Sequence, residues 1–147
     1  MKFINIFLFI FFVSATLSEE WIIKPGLNAQ DEIQEALILA EPGDKILLSK
    51  GTYDLNHGLS LDVNNVSIIG EGMYETVLDF SAQETGAQGL LVTSDNVLMQ
   101  DFAIENAKGD AIKSKGVKIL ALLKLELNGR MGQILKTVPM GFTLLNP

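Results

Sequence analysis

The sequence predicts an all-β chain of stacked parallel coils, a solenoid, preceded by one capping α-helix. Three observations predict it. The first is a phrase repeated three times: GLSLDVNNVSI from Gly58, GLLVTSDNVLM from Gly89 and GDAIKSKGVKI from Gly109. In each copy a Gly is followed eight residues later by Val66, Val97 or Val117, and two residues after that by Ile68, Met99 or Ile119. The second is the period. Leu61, Val92 and Ile112 occupy the column three after the Gly, and apolar residues recur two apart, which is the strand period rather than the helix period. The third is the corner. Asn65, Asn96 and Gly116 stand just before each valine, and these residue types tolerate φ > 0 and turn a chain sharply. A strand, a corner and a strand, repeated at intervals of 31 and then 20 residues, describe stacked coils.

Length and charge bound the rest. The chain has 147 residues, enough for one domain. Residues 1–18 begin with Lys2 and run through the apolar stretch Phe3–Ala15, a charged n-region and a short h-region, with small residues at Ala15 and Ser18. The expectation is a signal peptide over Met1–Ser18, a secreted or periplasmic location and no stable membrane span after cleavage. The formal charge is −7, and becomes −8 without Lys2. An acidic exported chain is a poor partner for nucleic acid, whose phosphates need Lys and Arg. With no Cys there is no disulfide framework, so packing must hold the fold.

In chain order, residues 19–44 hold an N-terminal strand and the capping helix. Trp21-Ile22-Ile23 is a short apolar strand ended by Pro25-Gly26. Asn28 is placed to cap the helix, and Asp31 lies in its first turn, where negative charge suits the dipole. Ile33, Ala36, Leu37 and Ala40 share one face, and Pro42-Gly43-Asp44 stops the helix. It is expected over Asn28–Ala40, covering the open first coil with Ile33 and Leu37. Residues 45–120 form the incomplete parallel β-helix. Lys45–Ser49 is a strand, Asp54–Gly58 a loop, Thr76–Phe80 a third strand, Ser81–Gln88 a polar loop, and Phe102-Ala103-Ile104 the third strand of the next coil. Three strands per coil give the triangular section of a right-handed parallel β-helix, the hand following the general rule for parallel crossovers.

The run IQEALILAEPGDKILLSKGTYDL resembles the helix, Pro-Gly-Asp, strand, Gly-Thr-Tyr entry of the parallel β-helix repeat proteins. That group includes pectate-lyase-like, alginate-epimerase-like and periplasmic copper-maturation proteins. GLLVTSDNVLMQDFAIENAKGDAIK resembles an exported bacterial subfamily described as parallel β-helix domain proteins. The resemblance covers residues 27–120, the N-terminal part of such a protein. It implies an extracellular polysaccharide as partner, and lyase, hydrolase or epimerase activity for full-length relatives.

The chemistry within the chain is sparse. Asp62 aligns with Thr93 and Lys113, and Asp95 with Asn64 and Lys115, so these columns mix acid with neutral or basic groups. Asp79, Asp101 and Asp110 are the ligand-binding candidates; catalytic residues are not assigned. His57, the single histidine, reads as a surface loop residue, and with no Cys no metal site and no cofactor is expected. Trp21, Tyr53 and Tyr74 fall at no common repeat position and read as packing, with sugar stacking as the functional alternative.

Residues 121–147 are an atypical tail with one acid, Glu126. Two readings stand. One is a C-terminal cap, which solenoids need. The other is a reading frame slipped near Leu120. Permissible codons for LNGRMGQILKTVPMGFTLLNP, read two nucleotides later, spell EWTDGPNSENGAYGFYPVES, which resembles the continuation of the subfamily. On that reading the chain is a truncated, exported member of a polysaccharide-associated family without a complete active site. The alternatives are a non-catalytic glycan- or protein-binding solenoid and a periplasmic accessory protein.

Overall fold

A computed structural model describes residues 18–118, and beyond them the backbone of strands 120–129 and 144–145. The expected leader, except Ser18, lies outside the described residues, as do Ile119 and the rest of the tail. In order the elements are β1 (Glu20–Ile23), α1 (Ala29–Leu39), β2 (Lys45–Leu48), β3 (Gly51–Asp54), β4 (His57–Leu61), β5 (Ser67–Gly70), β6 (Thr76–Asp79), β7 (Thr85–Val92), β8 (Val97–Ala107), β9 (Asp110–Ser114), β10 (Leu120–Gly129) and β11 (Leu144–Leu145).

The strand order corrects the expected all-β, right-handed parallel β-helix with three strand faces. The strands hydrogen-bond as two parallel sheets. One has eight strands, ordered β1-β2-β5-β8-β10-β11 with β3 and β6 off this path, and the other is β4-β7-β9. With α1 they make an α/β-like arrangement in place of the three-faced coil. The reason lies in β8. Residues expected as two strands separated by a corner run as one strand of eleven residues. Its first part pairs with β5, Ser67 opposite Leu98, and its later part with β6, Val77 opposite Ala103. Asp101, at φ 58°, bends the strand between the two without ending it. Strands expected on two faces therefore share one hydrogen-bonded network.

The parallel pairing and some columns follow the sequence reading; others shift. Leu61 pairs with Val92, and Ile68 with Met99, all four buried. Val92 then pairs with Ser114, and Ile112 with Leu90, two residues away from the expected alignment. Val97 pairs with Leu120, so Val117 is buried outside any strand. The connection from Ser114 to Leu120 is one residue longer than that from Val92 to Val97, and a repeat read from glycine spacing misses such an insertion. The expected loop Ser81–Gln88 also changes, because β7 already begins at Thr85. Residues 120–129 of the tail form a strand on β8, with Leu122 opposite Met99 and Leu125 opposite Phe102.

Alternation along the strands sends Tyr53, Leu78, Phe80, Met99, Phe102 and Ile104 into one core, each almost wholly buried. Such side chains stabilise by roughly 1.5–3 kcal/mol each relative to exposure. Two corners use the left-handed region, at Asn65 (φ 60°) and Asn96 (φ 57°), where asparagine is among the few residues that sit easily. The two amides also stack, Asn96 Nδ2 donating to Asn65 Oδ1 at 2.6 Å.

Helix α1 buries Ala29, Ile33, Ala36 and Leu37. Asn28 stands at its N-cap position but makes no side-chain capping bond, contrary to expectation. Two glutamines one turn apart do something else. Gln34 accepts from the Ser60 amide at 3.0 Å and donates to the Ser60 carbonyl at 3.1 Å. Gln30 accepts from the His57 amide at 3.3 Å. The side-chain amides thus take the place of a neighbouring strand along the edge of β4, which closes that edge to other chains. We expect Gln34→Ala to cost about 1 kcal/mol in urea denaturation, since water replaces part of the lost pairing. Glu35→Ala, on the exposed face of the same helix, should stay within about 0.5 kcal/mol.

Candidate functional site

The three candidate acids are not brought together. Asp79 ends β6 in the eight-stranded sheet. Asp101 occupies the bend of β8, where its carboxylate accepts from Gln100 Nε2 at 2.6 Å. Asp110 opens β9 in the other sheet and pairs with Gln88.

Asp79 instead belongs to a line of acids that the sequence reading missed. Asp54, Asp79 and Glu105 stand in register across β3, β6 and β8. Neighbouring strands lie about 4.8 Å apart, so the three side chains form a ladder on the outer surface. The middle rung is the most firmly held. Asp79 Oδ1 accepts from the Ser81 amide at 2.9 Å and from Asn106 Nδ2 at 2.8 Å, and Oδ2 accepts from the Ser81 hydroxyl at 3.2 Å. Burial pushes this carboxyl up, but the Asn106 and Ser81 donors together outweigh it and hold it below the usual carboxylate range. Asp79 is therefore charged at neutral pH, with Asp54 exposed beside it. The ladder was legible in principle. Asp54, Asp79 and Glu105 recur at intervals of 25 and 26 residues, each following an apolar residue of its strand by one. The column lies outside the glycine-led phrase, Asp54 before its first copy and Asp79 and Glu105 after the copies that end at Ile68 and Met99.

Around the ladder the surface is polar and shallow. Thr52 and Asp54, with Pro25, Gly26 and Leu27, line an open depression of about 400 Å³. A second depression, of about 280 Å³, is more apolar and lies on the other part of the sheet, between Ile22, Leu47 and Ile69. His57 begins β4 rather than lying in a loop, and its Nδ1 sits 3.1 Å from Thr85 Oγ1 at the surface. Among the described residues no cluster of three His, Cys, Asp or Glu side chains is arranged to hold a metal ion.

The aromatics divide. Tyr53 is buried, and its hydroxyl lies 2.8 Å from the Ser49 carbonyl and 2.9 Å from that of Ile23, sharing one proton between them. Burial, with the nearby Glu71 charge, pushes this phenol up to about 12. It is a packing residue, out of reach of a sugar. Trp21 is half-buried and reaches the Asp44 carboxylate. Tyr74, 78 % exposed, is the one aromatic of the three that stands free at the surface.

The charged columns also differ from the expectation. Asp95 accepts from the Lys118 amide at 2.6 Å, and Lys118 Nζ approaches its carboxylate at 3.9 Å, so Lys118 takes the place expected for Lys115. Asn64 does meet Asp95, its side-chain oxygen accepting from the Asp95 amide at 2.6 Å. Lys113 pairs with Leu91 in the strand ladder rather than aligning with Asp62 and Thr93.

Among the described residues no helix is long and apolar enough to cross a membrane. No protein-family model matches the sequence, and no curated protein matches it.

Proposed function

We propose that this chain is an exported protein that associates with extracellular polysaccharide through its outer sheet surface, without turning the polymer over. The observation that carries the reading is the ladder of Asp54, Asp79 and Glu105 with Asn106 and Ser81 around its middle rung. Carboxylates and amides fixed at strand spacing accept and donate hydrogen bonds to sugar hydroxyls over an extended, open surface. The resemblance of residues 27–120 to exported polysaccharide-associated proteins supports the same reading, as does the apolar leader sequence at Phe3–Ala15. Asp79, Asp101 and Asp110 stand on separate elements, so a binding role needs fewer assumptions than an acid–base pair.

Affinity electrophoresis through gels containing neutral and uronate polysaccharides tests the reading. We expect retardation in at least one gel, and about tenfold weaker retention for Asp54→Ala with Asp79→Ala, the loss of two or so surface hydrogen bonds. Release of unsaturated product from a uronate polymer by the wild-type chain would overturn the non-catalytic part. Equal mobility in every gel would overturn the binding part.

A further inference from the structure

The charge of this chain is divided between its two ends. Residues 1–107 hold four lysines against sixteen acids, a formal −12, while residues 108–147 hold seven Lys and Arg against two acids, a formal +5. The fold turns this sequence asymmetry into a spatial one. In the three-stranded sheet the order is β4-β7-β9, and α1 packs on the β4 side. Asp31, Glu32 and Glu35 are exposed on α1, with Ile38 and Leu39 exposed beside them. At the opposite side Lys113 on β9, and Lys115 and Lys118 just after it, are exposed. Lys113 and Lys115 have no ion pair or side-chain hydrogen bond among the described residues, and Lys118 is only loosely engaged by Asp95, with its side chain 80 % exposed. The acids on α1 are likewise without ion pairs among the described residues.

We propose that the acidic face of α1 in one copy docks against the lysine-bearing β9 side of a second copy. The occupant is a second copy because the two surfaces are complementary in charge and lie at opposite ends of the same short sheet. The glutamine clamp on β4 directs the mode. With the Ser60 backbone and the His57 amide already satisfied by Gln34 and Gln30, that end cannot gain a strand there, and contact falls to the side chains outside the helix. Such a contact joins unlike surfaces, so it does not close after two copies but continues head to tail. Exposed charge pairs contribute little individually and are screened by salt, so the association is weak, concentration-dependent and sensitive to ionic strength. It does not depend on polysaccharide, so it stands or falls separately from the binding reading.

Sedimentation equilibrium of the purified chain over a concentration series decides it. The expected result is a weight-average mass that rises with concentration in about 0.05 M salt and association on the order of tenfold weaker in about 0.5 M salt. Lys113→Glu with Lys115→Glu should remain monomeric, as should Glu32→Lys with Glu35→Lys. An equimolar mixture of the two variants should recover association, because each then offers the surface the other needs. All four positions are exposed, and unchanged circular dichroism checks that the variants fold. A mass independent of salt, variants that associate like wild type, or a mixture that stays monomeric would each overturn the proposal.

Discussion

Replacing Asp44 with Ala should remove about 2 kcal/mol of stability and loosen the segment that enters the first strand. Asp44 is buried at 4 % exposure, just after the helix-stopping Pro42-Gly43 pair. Its carboxylate accepts from the Glu19 amide at 2.7 Å and from the Glu41 amide at 2.9 Å, with the Trp21 indole at 3.4 Å. One side chain thereby ties the segment entering β1 to the turn leaving α1. Alanine leaves the two part-buried amides without their acceptor, and with water reaching them in part each costs about 1 kcal/mol. The carboxyl is held below its usual range by the Glu41 and then the Glu19 amide, against the upward push of burial and with a further contribution from Trp21. The sign follows from that depression. The stabilisation is fully present above the unfolded value of about 3.9 and is lost as pH falls through the lower folded value. Urea midpoints measured from pH 6 down to pH 2 should therefore fall more steeply for wild type than for Asp44→Asn. Parallel profiles for the two would mean that Asp44 is not the titrating clamp.

The pairing of Leu61 with Val92 and of Ile68 with Met99 was legible because the first two copies of the phrase share an Asn-Val corner, Asn65-Val66 and Asn96-Val97, at the same spacing from Leu61 and Val92. The third copy departs earlier: β9 already pairs two residues away from the glycine-led alignment, and the Lys-Gly corner adds one more residue before β10, so Val97 meets Leu120 and not Val117. The helix face of Ile33, Ala36 and Leu37 was legible from 3.6-residue periodicity, whereas Gln30 and Gln34 were not, because a glutamine that completes a strand edge looks the same in sequence as one in water. The sheet architecture was hidden at Asp101. An aspartate at a positive φ bends β8 without breaking it, and nothing in the residue type distinguishes that bend from a corner that separates two strands. Asp79 has no partner in the glycine-led columns; its neighbours Asp54 and Glu105 belong to a separate column at intervals of 25 and 26 residues, which the strand pairing brings into register.

Gly70→Ala should destabilise by about 3 kcal/mol, although it adds a single methyl group. Gly70 ends β5 at the place where β8 bends past it. A Cβ there would stand 2.2 Å from the Asp101 carbonyl oxygen and 2.9 Å from Phe102 Cβ. The first neighbour is backbone and cannot rotate away. It is also occupied, because the Asp101 carbonyl accepts from the Gly72 amide at 2.9 Å. The second is the root of Phe102, a wholly buried aromatic, so moving it disturbs the core. Relief therefore requires β8 to shift off β5 at the bend that joins the two parts of the larger sheet. Gly26→Ala is the matched control, since a Cβ at Gly26 meets nothing within 4 Å, and its stability should change by no more than about 0.5 kcal/mol. Urea denaturation of both variants measures the difference, and hydrogen exchange locates it: amides of β5 and of Val97–Asp101 in β8 should lose protection before those of β4 and β7. A Gly70→Ala protein as stable as Gly26→Ala would show that the strands do not approach so closely, and that the bend at Asp101 is not what welds the two parts into one sheet.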